Sequence, residues 1–202
     1  MRMAHIFIMV AASVGTGAAA QSTPPDPAKD IVVITGDVGQ SSTGRIAVNA
    51  ASGALNQQVN AALVALGDTA AGVGTVSQIG VKNGDAQRSA FAAIEGDAFA
   101  GASGMTSVNV AAGSGNQEIN LAVMAIGIEG SGLSEAMLGQ TRASTEPNRG
   151  TGKAEPADHA VELSPGAFQG SSGLAQVNLI GGADNSSANS FALSVTAPAN
   201  PQ

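Results

Sequence analysis

The sequence predicts an all-β protein made of stacked strand–turn–strand repeats, a β-solenoid or cross-β fold, with disordered linkers between the repeats. Three observations lead to this prediction: one motif occurs three times, apolar and polar residues alternate within it, and a glycine interrupts each copy midway. A single two-stranded unit is marginally stable in water, whereas stacked copies bury one another's faces.

The repeated motif is G-x3-V-N-x3-G-x2-N-x3-N, followed by a mostly apolar tail. Its copies occupy 44–67 (repeat 1), 104–127 (repeat 2) and 173–196 (repeat 3). Of the 12 asparagines in the chain, nine occupy three positions of the motif, so their placement is not random.

The first arm of each copy is predicted to be a strand because its residues alternate. Ile46, Val48 and Ala50 lie on one face and Asn49 on the other, a period of two. The second arm also fits a helix, since Val59 and Leu63 are four residues apart. In repeat 3, however, this arm is rich in serine and asparagine, which resist helix interiors. We therefore predict strands for both arms.

Stacking predicts that equivalent residues form columns spaced by about 4.8 Å. A buried amide costs about 1–3 kcal/mol if unpaired, and stacked amides can pair with their own copies. The alternative is that the asparagines only serve turns. The predicted self-assembly columns are Asn49, Asn109 and Asn178; Asn56, Asn116 and Asn185; Asn60, Asn120 and Asn189; and Val48, Val108 and Val177, with bends at Gly53, Gly113 and Gly182.

The rest of the chain is assigned by composition. Residues 1–20 are typical of a secretory signal peptide, with Arg2, a short apolar run and an alanine-rich cleavage site. The remaining segments are predicted as an N-terminal extended segment (21–43), a linker (68–103), a partly disordered linker (128–172) and a proline-containing tail (197–202). Within them, 30–36 and 75–81 are candidate strands, and 89–94 is a candidate strand or helix.

Composition and charge exclude several classes of protein. The net charge of −7 argues against nucleic-acid binding, and the absence of cysteine excludes a disulfide scaffold. Only 43 of the 202 residues are Leu, Ile, Val or Phe, which disfavours a compact enzyme domain. His159 has no visible catalytic or metal-binding partners, and the repeats carry only Glu118 and Asp184 as carboxylates. The sequence therefore predicts no enzyme, no metal and no cofactor.

The open ends of such a stack predict self-association. Repeat 3 is followed by no charged cap, and its apolar arm at 191–195 leaves an edge that can pair with another copy. A fibre of this chain is the main prediction. A monomeric β-solenoid adhesin or binding module at the cell surface is the alternative.

The repeats resemble those of the Fap-type functional amyloid subunits, which bacteria secrete to build biofilm fibres. The resemblance rests on VNVAAGSGNQ at 108–117, its copies beginning at 48 and 177, and the lead-ins at 99–104 and 168–173. It implies a secreted, extracellular fibre whose partners are the chain itself, other amyloid subunits and an outer-membrane export pore. The chain departs from this family in lacking a cysteine pair near the C-terminus.

Overall fold

The computed structural model of the chain describes residues 29–68, 70–82, 88–127, 133–144 and 158–196. The predicted signal peptide (1–20), the first part of the extended segment (21–28) and the tail (197–202) lie outside the described residues.

Eleven β-strands and their turns make up the described part of the chain, which contains no helix. The strands are β1 (Lys29–Ile34), β2 (Thr43–Ser52), β3 (Gln57–Gly67), β4 (Ala71–Lys82), β5 (Ser89–Ile94), β6 (Ser103–Ala112), β7 (Gln117–Gly127), β8 (Leu133–Ser144), β9 (His159–Leu163), β10 (Ser172–Gly181) and β11 (Ser186–Thr196). They form three successive rungs: rung 1 holds β1 to β4, rung 2 holds β5 to β8, and rung 3 holds β9 to β11. The predicted all-β, stacked-repeat fold class is confirmed.

Strands of successive rungs pair in parallel and build four sheets. Sheet A contains β1, β5 and β9; sheet B contains β2, β6 and β10; sheet C contains β3, β7 and β11; and sheet D contains β4 and β8. The register places like motif positions side by side, so that Asn109 lies between Asn49 and Asn178. Rung 2 therefore lies in the middle of the stack, with rungs 1 and 3 at its two ends.

Strands also occupy much of the two segments predicted as linkers, and this corrects those assignments in part. β4 and β5 lie within 68–103, and β8 and β9 lie within 128–172. The repeating unit is thus longer than the 24-residue motif. The motif does not extend to β4 and β8 because only one of their residue pairs is identical, Gln78 with Gln140, whereas Val76, for example, pairs with Leu138.

Alternation along the strands produces two apolar layers with a polar layer between them. Val108 and Val110 pack toward sheet A, where they join Ile34, Ile94 and other apolar residues. On β7, Ile119 and its alternate neighbours pack toward sheet D. The opposite faces of β6 and β7 meet between sheets B and C, where amide side chains fill the space.

The turn between sheets A and B stacks aromatic rings. Phe99 and Phe168 occupy equivalent turn positions, and their rings lie 5.0 Å apart, nearly parallel. Both have a left-handed φ of about 60°. Rung 1 has Gly39 in this position, and a Cβ there would lie 2.6 Å from the Phe99 ring. Glycine in rung 1 therefore leaves room for the ring of rung 2.

Candidate functional site

The candidate site is the polar layer between sheets B and C, which we call the asparagine core. Each rung contributes one asparagine from sheet B and one from sheet C, and these two face each other. In rung 1, Asn60 Nδ2 donates to Asn49 Oδ1 at 2.9 Å, and the equivalent bonds in rungs 2 and 3 measure 2.9 and 3.0 Å. The asparagine core consists of Asn49, Asn60, Asn109, Asn120, Asn178 and Asn189.

Further hydrogen bonds join the asparagine core from rung to rung. In sheet B, Asn178 Nδ2 donates to Asn109 Oδ1 and Asn109 Nδ2 donates to Asn49 Oδ1, both at 2.9 Å. The two equivalent bonds in sheet C are also 2.9 Å long. In all four, the donor belongs to the later rung and the acceptor to the earlier one. The core therefore has a direction along the stack.

Backbone carbonyls hold the amides in this orientation. Asn60 Nδ2 also donates to the carbonyl of Val48 at 2.8 Å, and Asn109 Nδ2 donates to that of Val59 at 3.1 Å. A flipped amide would turn its oxygen toward these carbonyls, which is unfavourable. Asn109 and Asn120 are completely buried, so losing a partner would leave a desolvated polar group at a cost of about 1–3 kcal/mol.

The remaining predicted asparagine column, Asn56, Asn116 and Asn185, lies at the bend between sheets B and C. The Oδ1 atoms of Asn56 and Asn116 accept from the backbone N–H of the equivalent asparagine in the next rung, at 2.9 and 3.0 Å. Asn56 Nδ2 donates to the carbonyl of Gly113 at 2.8 Å. These asparagines therefore stand in a turn and also join neighbouring rungs.

The predicted bend glycines have positive φ angles and close contacts between rungs. Gly53, Gly113 and Gly182 have φ values of 103°, 106° and 124°. A Cβ on Gly53 would collide with the carbonyl of Gly113, and one on Gly113 with that of Gly182. Any other residue here would strain the backbone and push the rungs apart.

The predicted valine column lies outside the asparagine core. Val48, Val108 and Val177 are in register and point into the apolar layer between sheets A and B. Val108 is fully buried, while Val48 and Val177 in the outer rungs are half-buried.

Two polar groups near the core were not recognised as partners from the sequence. Gln140 Nε2 of β8 donates to Gln78 Oε1 of β4 at 3.1 Å, and both also donate to backbone carbonyls of sheet C. Glu118 lies in the column between Gln58 and Ser187 and is fully buried. In the sequence, Glu118 is notable only as a carboxylate within a repeat that is otherwise uncharged.

Burial raises the pKa of Glu118 from 4.5 to about 8, and a hydrogen bond from Gln58 Nε2 to its Oε2 opposes this rise. Its other carboxyl oxygen, Oε1, has no hydrogen-bond partner among the described residues. The side chain is therefore protonated at neutral pH.

No cluster of three or more histidine, cysteine, aspartate or glutamate side chains with the spacing of a metal site occurs among the described residues. Within the same part of the chain, no helix has the length and apolar character needed to cross a membrane. His159 begins β9 and is exposed at the outer rung.

Comparison with known proteins places these repeats in a family. The family model described as functional amyloid protein FapB/FapC family matches residues 11–196, which include all three rungs. No solved structure shows a significant match. This is a family of structural amyloid subunits rather than of enzymes. The matched region covers most of the chain, and the protein therefore belongs to the functional amyloid protein FapB/FapC family.

Proposed function

We propose that this functional amyloid protein is secreted and polymerises end to end into extracellular fibres, which serve a biofilm matrix or surface adhesion. The observation that carries the proposal is a parallel, in-register stack with two open ends. Its predicted asparagine and valine columns act as self-assembly columns, because each can continue into a second copy of the chain.

Unequal burial along each column supports growth at the ends. Asn109 is fully buried in the middle rung, whereas Asn49 is exposed in rung 1. Val48 and Val177 are half-buried, and covering the rest of such a side chain contributes on the order of 1 kcal/mol. A second copy would give the outer rungs the environment of the middle rung, so many small contributions favour addition.

The edge of rung 3 has few of the features that normally prevent strand pairing. Edge strands are usually protected by charge, proline or bulges. β10 and β11 contain neither a charged residue nor a proline. Between them lies an open groove of about 630 Å³, lined by Leu174, Gln176, Ala188 and Phe191 among others. This face is suited to receive the strands of another rung.

Membership of the amyloid family supports the location and the partners in this proposal. Secretion would use the predicted signal peptide at 1–20, followed by an outer-membrane export pore. The main partner is the chain itself, and other amyloid subunits are further partners of the same fibre.

The proposal is tested by incubating the chain without residues 1–20 and following growth from preformed seeds by electron microscopy and dye fluorescence. Replacing Asn49, Asn109 and Asn178 together with alanine should slow elongation at least tenfold, because buried amide groups lose their partners.

The matched control changes the three polar residues that begin the strands of sheet B, a column outside the asparagine core. It is Thr43→Ala, Ser103→Ala and Ser172→Ala, which should leave elongation within about twofold of wild type. Equal elongation of the two triple variants would contradict a role of the asparagine core in assembly.

A monomeric adhesin or binding module is the second candidate, favoured by one observation. Val73 and Ile79 of β4 and Met137 of β8 are exposed on the outer face of sheet D, an apolar surface that suits a ligand. A chain that stays monomeric at high concentration for days, with and without seeds, would favour this candidate over the fibre.

A further inference from the structure

We propose that copies of this chain join head to tail, rung 1 of one copy on rung 3 of another, through a charged seam. In this seam Lys29 lies against Asp158, and Asp30 lies against His159 of the other copy. The inference rests on the proposed fibre and specifies which faces meet and in which direction.

The register defines which residues meet at the seam. In sheet A, Lys29 pairs with Ser89 and Asp30 with Ala90. Ala90 in turn pairs with His159, and the N–H of Asp158 donates to Ser89 Oγ at 3.2 Å. The first column thus reads Lys29, Ser89, Asp158, and continuing it by one rung spacing of about 4.8 Å places the next Lys29 beside Asp158.

Charge is present in these columns only at the outer rungs. Ser89 and Ala90 in the middle rung are neutral, so Lys29 and Asp158 have no charged neighbour within their own column. Both are exposed. The second column reads Asp30, Ala90, His159. Its Asp30 carboxylate, in rung 1, is held by Arg88 with nitrogen–oxygen distances of 2.7 and 3.0 Å. Lys29 on the outer face of rung 1 and Asp158 on that of rung 3 are therefore complementary in charge.

The direction of the asparagine core favours the same arrangement. Its inter-rung bonds all run from a donor in the later rung to an acceptor in the earlier one. The Asn178 oxygen already accepts from Ser187 Oγ and Asn189 Nδ2. Asn189 presents its oxygen to a following rung, and Asn49 of another copy has an Nδ2 group to donate to it, as Asn178 Nδ2 donates to Asn120 Oδ1 at 3.2 Å. Head-to-tail stacking continues this pattern, whereas head-to-head stacking would bring like groups together.

The absence of cysteine permits a covalent test of the seam. In fibres of a Lys29→Cys, Asp158→Cys double variant, oxidation should link successive copies into a ladder on a non-reducing denaturing gel. A disulfide requires a Cα separation of about 4.4–6.8 Å, which one rung spacing satisfies. The two positions within one copy are separated by two rungs, about 9.6 Å, and cannot be bridged.

Two controls determine what a negative or positive result means. A Lys29→Cys, Ser89→Cys variant joins neighbouring rungs of one chain and should give linked monomers without a ladder. Lys29→Cys alone should give no dimers in head-to-tail fibres, and dimers from it would overturn the proposed direction.

A charge exchange tests the ion pair itself. Lys29→Asp and Asp158→Lys should each raise the critical concentration for fibre growth about three- to tenfold at low salt, because like charges then meet. The double exchange should restore it to within about twofold. The differences should shrink at about 1 M salt, where the Debye length is about 3 Å.

Glu162→Lys provides the matched control for Asp158→Lys, since it changes the net charge equally. Glu162 is exposed in rung 3, and the other members of its column, Val33 and Ala93, are neutral. If the wild-type chain forms fibres but the double-cysteine variant forms no ladder, the seam alone is overturned. The same holds if charge exchange changes the critical concentration no more than the control variant does. Absence of wild-type fibres overturns the proposed function, and the seam with it.

Discussion

At the scale of single residues, the unusual feature is a carboxylic acid within a column of neutral polar groups. Glu118 is fully buried between Gln58 and Ser187. Desolvation holds its pKa at about 8. The folded chain thus keeps a proton that the unfolded chain releases above pH 4.5, so folding takes up a proton between these two values.

We therefore predict that the folded stack loses stability as pH rises from 4.5 to about 8. Glu118→Gln should remove this dependence, because a glutamine stacks on Gln58 without titrating. At pH 7 the variant should be more stable by up to roughly 3 kcal/mol. Denaturant depolymerisation of fibres at several pH values measures this.

Gln58→Ala is the companion variant, since it removes the hydrogen bond that lowers the pKa of Glu118 and leaves the carboxyl in place. It should retain the pH dependence. Parallel pH profiles for wild type and Glu118→Gln would contradict the assignment.

At the scale of strands, β11 differs from β7 on the face turned toward sheet D. β7 has Ile119, Leu121 and Val123 there, covered by β4 and β8. The equivalent residues of β11 are Ala188, Ser190 and Ala192, which are small or polar. Rung 3 has no fourth strand among the described residues. The side chains of β11 are thus suited to a face that is left uncovered.

This contrast predicts a large loss of stability for one alanine variant of a column and a small change for another. Leu121→Ala should destabilise the stack by about 2–5 kcal/mol, because Leu121 is 2% exposed and its removal leaves a cavity. Ser190→Ala should change stability by less than about 0.5 kcal/mol, since Ser190 is exposed. Midpoints of fibre dissolution in denaturant compare them. A large effect of Ser190→Ala would mean that a neighbouring chain packs on the face of β11 that is turned toward sheet D.

At the scale of the whole molecule, each copy adds three unequal rungs to a fibre. Among the residues that the structure describes, sheets A, B and C have a strand in every rung, whereas sheet D has strands in two of the three. Along a head-to-tail fibre, sheets A to C continue without interruption and sheet D is broken once in every copy. The repeat of the fibre is then the length of one chain.

Fibre diffraction or electron microscopy should therefore detect an axial repeat of about 14 Å, three strand spacings, in addition to the reflection near 4.8 Å. The periodic gap in sheet D makes this repeat visible, because identical rungs would give the strand spacing alone. A repeat of about 29 Å would instead indicate copies alternating in direction.

The sequence by itself determined the stacked β fold and the residues that lie over one another. Alternation, the bend glycines and three asparagine positions are local signals, and in-register stacking needs like residues at like positions. Only the tertiary structure decided the limits of the repeating unit, the place of β4 and β8, and the burial of Glu118. Those features depend on which strand faces pack together, and packing between sheets requires complementary shape and polarity rather than repeated residue identity.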